Sequence, residues 1–297
     1  MRSYSASVEG RSLRAVIAVL LVGLAALTVY PFVYVLAYSL SDGITASARN
    51  ITVYPVDPTL RNYHAVLLNN GIMQAFFISV SRTVIGSSLH LVVTCLCAYT
   101  LSKRYLVGRK FLMPFFIIPM YFSGGLLPFY VVITRLGLHN NFLVYILPLA
   151  FNSYHMLILR VFFAQVPAEL EESARLDGAG DSRILLQIVL PTSLPVIATI
   201  LLFIGVLHWN SWLDTLLFVT SRELVTLQAL LQRIILESQT RDMIDIMRMA
   251  QASQTTNVTP ESIKMATLMV ATVPIILAYP FLQRYFVKGL MIGAVKG

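Results

Sequence analysis

The chain has 297 residues, 57% of them hydrophobic and only 12% charged, with 22 Lys and Arg against 14 Asp and Glu for a net charge of +8. Soluble domains carry about 45–50% apolar and about 25% charged residues, so a second apolar phase, most simply a bilayer, must cover the surface that charge cannot. That balance excludes a soluble globule, a disordered chain, a collagen-like repeat and a disulfide-stapled secreted scaffold. A spanning helix needs about 20 mostly apolar residues. Six stretches qualify and predict an all-α integral membrane protein, its transmembrane body at 15–286 between a tail at 1–14 and another at 287–297. The first span, 15–41, runs uncharged between Arg14 and Asp42, and its length favours a retained anchor over a signal peptide. The second, 73–101, contains Arg82, His90, Cys95 and Cys97. The two cysteines, two residues apart on a helix, point in different directions and read as small packing residues instead of a disulfide or metal pair. His90 reads as a hydrogen-bonded packing residue.

The third span, 111–134, holds Pro114, Pro119, Gly124, Gly125 and Pro128, which should kink or interrupt it. The fourth, 143–163, carries Arg160 at its far end, and Arg82 and Arg160 are expected to snorkel or to pair. The fifth covers 194–219 and the sixth 263–286. Orientation follows the Lys and Arg of short loops. With the N-terminus inside, ten of these cations (Arg2, Arg11, Arg14, Lys103, Arg104, Arg109, Lys110, Arg284, Lys288 and Lys296) face the cytoplasm, against Arg49, Arg61 and Arg135 outside. Both termini are therefore placed in the cytoplasm. Basic residues divided among loops do not form the stripe that a nucleic acid requires.

Two outer loops, 42–72 and 220–262, exceed what the topology needs, and long loops tend to be functional. The second has an apolar helical period at Leu227, Leu230, Leu231, Ile234 and Ile235. It reads either as a helix lying on the membrane or as a contact for an external partner. Within the fifth span, Trp209, Asn210, Trp212 and Asp214 form a candidate substrate path. An intramembrane carboxylate is a functional-site hypothesis by default, and indole faces can stack on sugar rings. Tryptophans are equally at home at a membrane interface. Ser211 with His208 and Asp214 superficially offers the triad of an intramembrane hydrolase, but adjacent helical turns give poor base-to-nucleophile geometry. A secondary transporter would call for inverted repeats and embedded ion-binding residues, and Asp214 is the one intramembrane acid.

The segment 164–193, on the cytoplasmic side, reads as two short helices around a glycine turn. Pro167 suits a first helical position, and Glu169, Glu171 and Glu172 favour the positive end of the first helix. Glu171 precedes Arg175 by four residues, a supporting pair. Asp177-Gly178 should end that helix, Asp181 or Ser182 should cap the next, and Pro191 should break it.

The order Glu172-Ser173-Ala174, Gly178 at the fourth place beyond, then Ile188, Leu190 and Pro191 resembles the signature loop of ABC importer permeases, with Ser173 where the family has Ala. The runs Gly205 to Asp214, Thr226-Leu227-Gln228 and Tyr279 to Gly297 are similar to those of the maltose-type carbohydrate branch, and in particular to importers of oligosaccharides or polysaccharide fragments. The resemblance implies a type I ABC importer transmembrane domain with six helices in a bacterial cytoplasmic membrane. It implies a second homologous permease, two cytoplasmic ATPase subunits and an extracytoplasmic solute-binding protein. It implies that Glu172, Ser173, Ala174, Asp177, Gly178 and Ala179 dock the ATPase, and that the loop from Leu236 to Asn257 contacts the binding protein. The chain has no Gly-x4-Gly-Lys phosphate loop. No catalytic residue, metal or cofactor is therefore expected in it, and ATP and Mg would be bound by the partner ATPase.

Overall fold

Apolar runs interrupted by proline, glycine and Asn caps dictate a chain of helices of very unequal length, and that is what the computed structural model shows. It describes residues 8–49, 51–237 and 258–294; among them every regular element is helical, with one isolated bridge between Ser41 and Pro58. Two compact units emerge, Met1–Asn70 with Arg233–Val270, and Gly71–Gln232 with Ala271–Gly297.

In the first unit, α1 (Val8–Ser39) is long enough to cross a bilayer between Leu13 and Ser39, and its spanning window is wholly unburied within the chain. Its last turn packs Ala37 and Tyr38 against Ala46, Ile51 and Met265. The predicted loop after it is ordered. Asp42 caps α2 (Gly43–Ala48) by accepting from the Thr45 amide at 3.1 Å. Asn62 of α3 (Arg61–Leu68) donates to the carbonyls of Ser39 and Ser41 at 2.9 and 2.8 Å, closing the end of α1.

The second unit is built on α4 (Asn70–Ser102), the other helix that passes the length and composition test for a span, at Gly71–Ser102. The third predicted span is α5 (Arg109–Tyr121) and α6 (Leu126–Arg135), bent by 116°. Both Pro114 and Pro119 lie inside α5, and the break falls at Phe122–Gly125, where Gly125 takes φ +83°. The fourth span is not a single helix. A 3-10 turn at Phe142–Tyr145 is followed by irregular chain and then α7 (Ser153–Phe163), whose 11 residues are short for a bilayer. Pro148 has no amide to donate, and the Asn152 side chain caps α7 through the amides of Tyr154 and His155.

After α7 come α8 (Ala168–Leu176), α9 (Asp181–Ile184), a π-turn at Leu185–Val189, and α10 (Leu190–Thr192). Then follow α11 (Leu194–Asn210), α12 (Leu213–Phe218), α13 (Leu227–Glu237) and α14 (Pro260–Ala294). The fifth span is thus divided too: α9–α10 meets α11 at 85°, and α11 stops at Asn210 before α12 begins. Counting each bent pair as one span gives up to four by length and composition among the described residues, where six were predicted. The core of this unit joins Tyr99, Leu101, Met156, Leu159, Phe163, Ile184, Val189 and Ile200. Cys95 is buried in it and Cys97 packs at its edge, both as free thiols.

Candidate functional site

Two groups of residues bear on function, and both lie within the second unit. The first is the hinge between α8 and α9. The N–H of Gly178 bonds the carbonyl of Arg175 at 3.0 Å and that of Ala179 bonds Ala174 at 2.9 Å. That pair is a Schellman closure, which needs a left-handed residue at its centre, and Gly178 supplies φ +80°. The predicted glycine turn is therefore real and is set by local bonds.

Of the predicted docking residues, Glu172, Ser173, Asp177 and Gly178 are exposed, and Leu176 beside them is 90% exposed. Ala174 and Ala179 are half-buried and pack on the core formed by Leu159, Ile184 and Val189. The small residues thus seat the hinge on its own protein and turn the acidic edge outward.

Three local expectations are corrected here. Pro167 is the N-cap and α8 starts at Ala168. Gly180 is the N-cap of α9, and Asp181 stands in its first turn because its carboxylate is taken by Arg175 at 2.6 Å. Pro191 does not end its helix, since the chain runs helically to Thr192. The π-turn just before it widens the ladder where a proline ring would otherwise press on the carbonyl of the preceding turn.

Glu171 does not pair with Arg175 either. Its two carboxylate oxygens accept from the Lys103 ammonium, each at 2.5 Å, and that ammonium sits 4.1 Å over the Tyr99 ring. Arg175 donates to the Tyr105 hydroxyl at 2.5 Å as well as to Asp181. Partial burial raises the Tyr105 phenol, and Arg175 is held above its ordinary value first by that phenol and then by Asp181. Both shifts favour a neutral Tyr105 phenol beside a charged Arg175.

The second group surrounds the break between α11 and α12. Arg82 of α4 is fully buried, and its guanidinium donates to Asp214 at 3.2 and 2.5 Å, to the Ser211 carbonyl at 3.2 Å, and faces the Tyr145 ring at 4.5 Å. Trp209 is buried, its indole N–H bonds the Ala271 carbonyl at 3.0 Å, and its ring meets Phe76 edge-on. Trp209 and Asp214 are thus held in scaffold contacts, whereas Asn210 is exposed and Trp212 half-buried at the break.

His208 is wholly buried against Gly86, and neither ring nitrogen has a hydrogen-bond partner, so it acts on neither Ser211 nor Asp214. The hydrolase triad is not assembled. His90 bonds the Leu149 carbonyl at 2.6 Å and His155 at 3.2 Å, the packing role expected of it. Arg160 donates to the Leu101 carbonyl at 3.0 Å. No group of three metal-ligating side chains occurs among the described residues.

The base of the predicted last outer loop is pinned: the Leu227 amide donates to Ser79 of α4 at 2.8 Å, and Thr215 and Thr226 share a hydrogen bond. The apolar period predicted there is α13, with Leu227 and Leu231 buried. Of the predicted partner loop, Leu236 and Glu237 end that helix, and residues 238–257 lie outside the described residues.

Sequence missed the contribution of Lys103 and Tyr105. They were counted or passed over as loop residues, and no local pattern pairs a residue with one 68 or more positions away.

Residues 91–292 match the family described as binding-protein-dependent transport system inner membrane component. The chain is 37% identical over 273 residues to the polygalacturonan/rhamnogalacturonan transport system permease protein YtcP of Bacillus subtilis, covering 92% of this chain and 94% of that one. It is 38% identical over 277 residues to protein LplC of the same organism, covering 93% and 92%. Among solved structures, a chain of a bacterial ABC transporter involved in the import of the acidic polysaccharide alginate superposes with a TM-score of 0.88 at 28% identity, over 95% of this chain and 99% of that one. A chain from bacterial alginate ABC transporter bound to a periplasmic protein carrying alginate pentasaccharide shares the fold, with a TM-score of 0.59 at 14% identity over 94% and 96%.

Proposed function

Because this chain belongs to the family of binding-protein-dependent transport system inner membrane components, we propose that it is the permease subunit of an ATP-driven carbohydrate importer. It crosses the membrane six times with both termini in the cytoplasm, an orientation that the distribution of Lys and Arg supports. It pairs with a second homologous permease, is driven by two cytoplasmic ATPase subunits that bind ATP and Mg, and receives its solute from an extracytoplasmic binding protein. Its substrate is an oligosaccharide or polysaccharide fragment. A relative named for polygalacturonan/rhamnogalacturonan transport, and a structural neighbour involved in the import of alginate, support uronate-containing chains as that substrate.

The observation that carries the reading is the α8–Gly178–α9 hinge, whose edge of Glu172, Ser173, Leu176 and Asp177 is exposed among the described residues. Glu172 offers charge and acceptors to the ATPase cleft, Gly178 sets the angle between the two arms, and Ala174 and Ala179 let the hinge sit close to its own core. ATP-driven closure pulls on this edge, and the differential contact of the ATPase with two permease states is what shifts the cavity between them. Asn210 and Trp212 at the break in the fifth span are the path-facing pair, with Trp209 and Asp214 fixing their backbone. The loop from Leu236 to Asn257 reaches the binding protein.

The test is co-purification and reconstitution. The complex should retain an ATPase, and hydrolysis should rise when binding protein loaded with galacturonate or alginate oligomers is added, more than with neutral malto-oligosaccharides. Glu172→Lys with Gly178→Val should disconnect hydrolysis from uptake. A chain that purifies without an ATPase, or hydrolysis indifferent to every saccharide, defeats the proposal.

A further inference from the structure

The short loop joining α4 to α5 holds the hinge from outside it. Lys103, the first residue after α4, is buried and grips both oxygens of Glu171 on α8. Two residues on, the Tyr105 hydroxyl accepts from Arg175 of α8 at 2.5 Å and donates to Asp181 of α9 at 3.3 Å. Arg175 also lies 5.1 Å over the Tyr105 ring. Two residues thus reach both arms of the hinge between them, and their partners Glu171 and Arg175 are interspersed with the exposed edge on which a partner would pull.

The other end of this connection is equally specific. Helix α4 runs unbroken for 33 residues without an internal proline. Arg82 precedes Lys103 by 21 positions, about 30 Å at 1.5 Å per residue. There it holds Asp214 and the Ser211 carbonyl at the break between α11 and α12. One continuous helix therefore links two buried charged contacts, Arg82 within its length to the interrupted span and Lys103 just past its end to the hinge.

We propose that Lys103 and Tyr105 form a second coupling element, a clasp that passes displacement of α8 into α4, which delivers it to the Arg82–Asp214 pair at the break in the fifth span. The inference rests on the reading of α8 as the ATPase-docking helix. Lys103 is a positioning residue: it acts by binding Glu171. Rigid elements with distinct contacts at each end are the kind of physical connection through which coupling travels.

The test uses the complex with its ATPase, spin-labelled at Leu213→Cys beside the break in a Cys95→Ala, Cys97→Ala background and compared with and without trapping by ATP and vanadate. Trapping should change the label's line shape in the otherwise unaltered chain. In Lys103→Met and in Glu171→Gln that change should shrink at least threefold, while ATPase co-purification and the amount of trapped nucleotide stay the same. The swapped pair Lys103→Glu with Glu171→Lys should restore most of it. A full line-shape change in Lys103→Met overturns the clasp, and so does loss of ATPase co-purification in that variant, which would make the pair an assembly contact. Loss in all three variants without rescue by the swap overturns the ion pair as the transmitting element. If the unaltered chain retains no ATPase, the docking reading itself falls and takes the clasp with it.

Discussion

Asp214→Asn should be the most damaging single change in the second unit outside its apolar core. The guanidinium of Arg82 is wholly buried, and Asp214 supplies its neutralising charge through two hydrogen bonds. Removing that charge leaves the Ser211 carbonyl and the Tyr145 ring, neither of which carries a full negative charge. Breaking a buried pair from one side costs about 3–5 kcal/mol, because the remaining ion is left uncompensated. The converse, Arg82→Met, should cost less, about 2 kcal/mol. Asp214 is only 16% exposed but keeps the Thr215 amide as a donor at 2.9 Å. Replacing both partners, Arg82→Met with Asp214→Leu, should return to within about 1–2 kcal/mol of the parent, since a well-packed apolar pair commonly substitutes for a buried ion pair. The assay is equilibrium unfolding of the purified complex in mixed micelles, followed by circular dichroism, for the four corners of this double-mutant cycle. Single variants that each lose less than about 1 kcal/mol, or losses that simply add in the double variant, refute the claim that these charges stabilise each other.

Three further outcomes follow from single contacts. A Cβ on Gly86 would stand 2.8 Å from both ring nitrogens of His208, so Gly86→Ala should destabilise by about 1–3 kcal/mol in the same unfolding assay, and His208→Ala should relieve much of that loss. Gly178→Ala should weaken the hinge by about 1 kcal/mol through its positive φ alone, because nothing lies within 4 Å of the added carbon. Gly180→Ala, equally unobstructed and without positive φ, should leave stability and saccharide-stimulated ATP hydrolysis unchanged. Trp209→Phe should cost about 1 kcal/mol by removing the indole bond to the Ala271 carbonyl, with no change in the saccharide concentration that half-stimulates hydrolysis, whereas Trp212→Ala should raise that concentration.

The parts of this structure that sequence made legible are those encoded within one or two turns. Asp177-Gly178 announced a left-handed helix end because few other residue pairs tolerate one, and the Schellman bonds sit there. The apolar period from Leu227 announced α13, and the prolines and glycines of the third span announced its break. What stayed hidden falls into two kinds. In the fourth span, Pro148 and Asn152 carried ordinary breaking and capping signals, but uniform hydrophobicity masks such signals when spans are counted by apolar length. The ion pairs were hidden for a different reason. Lys103 with Glu171 and Arg82 with Asp214 join residues 68 and 132 apart, and helical spacing rules speak only of neighbours three and four apart. The local rule even favours the wrong partner, Glu171 with Arg175, because it weighs a solvated pair and takes no account of a buried lysine arriving from the loop after α4.

The interrupted fifth span explains why a charged residue is tolerated on α4 at all. Ending α11 at Asn210 and restarting at Leu213 leaves backbone carbonyls without their helical donors, a cost that no lipid or apolar side chain can relieve. Arg82 relieves part of it directly, donating to the carbonyl of Ser211, the first residue past α11. A guanidinium has enough donors to serve that carbonyl and to bind a carboxylate in a fixed plane at once, which a lysine ammonium does less well. Asp214, in the first turn of α12, neutralises Arg82 and also favours the positive end of the restarted helix. Each charge therefore answers a need created by the break, and the break in turn fixes where both must lie. Purely apolar replacements could equal this arrangement in stability but would leave the Ser211 carbonyl unserved. The double variant Arg82→Met with Asp214→Leu should accordingly remain folded and fail to transport, separating the energetic role of the pair from its role in holding the span open at that point.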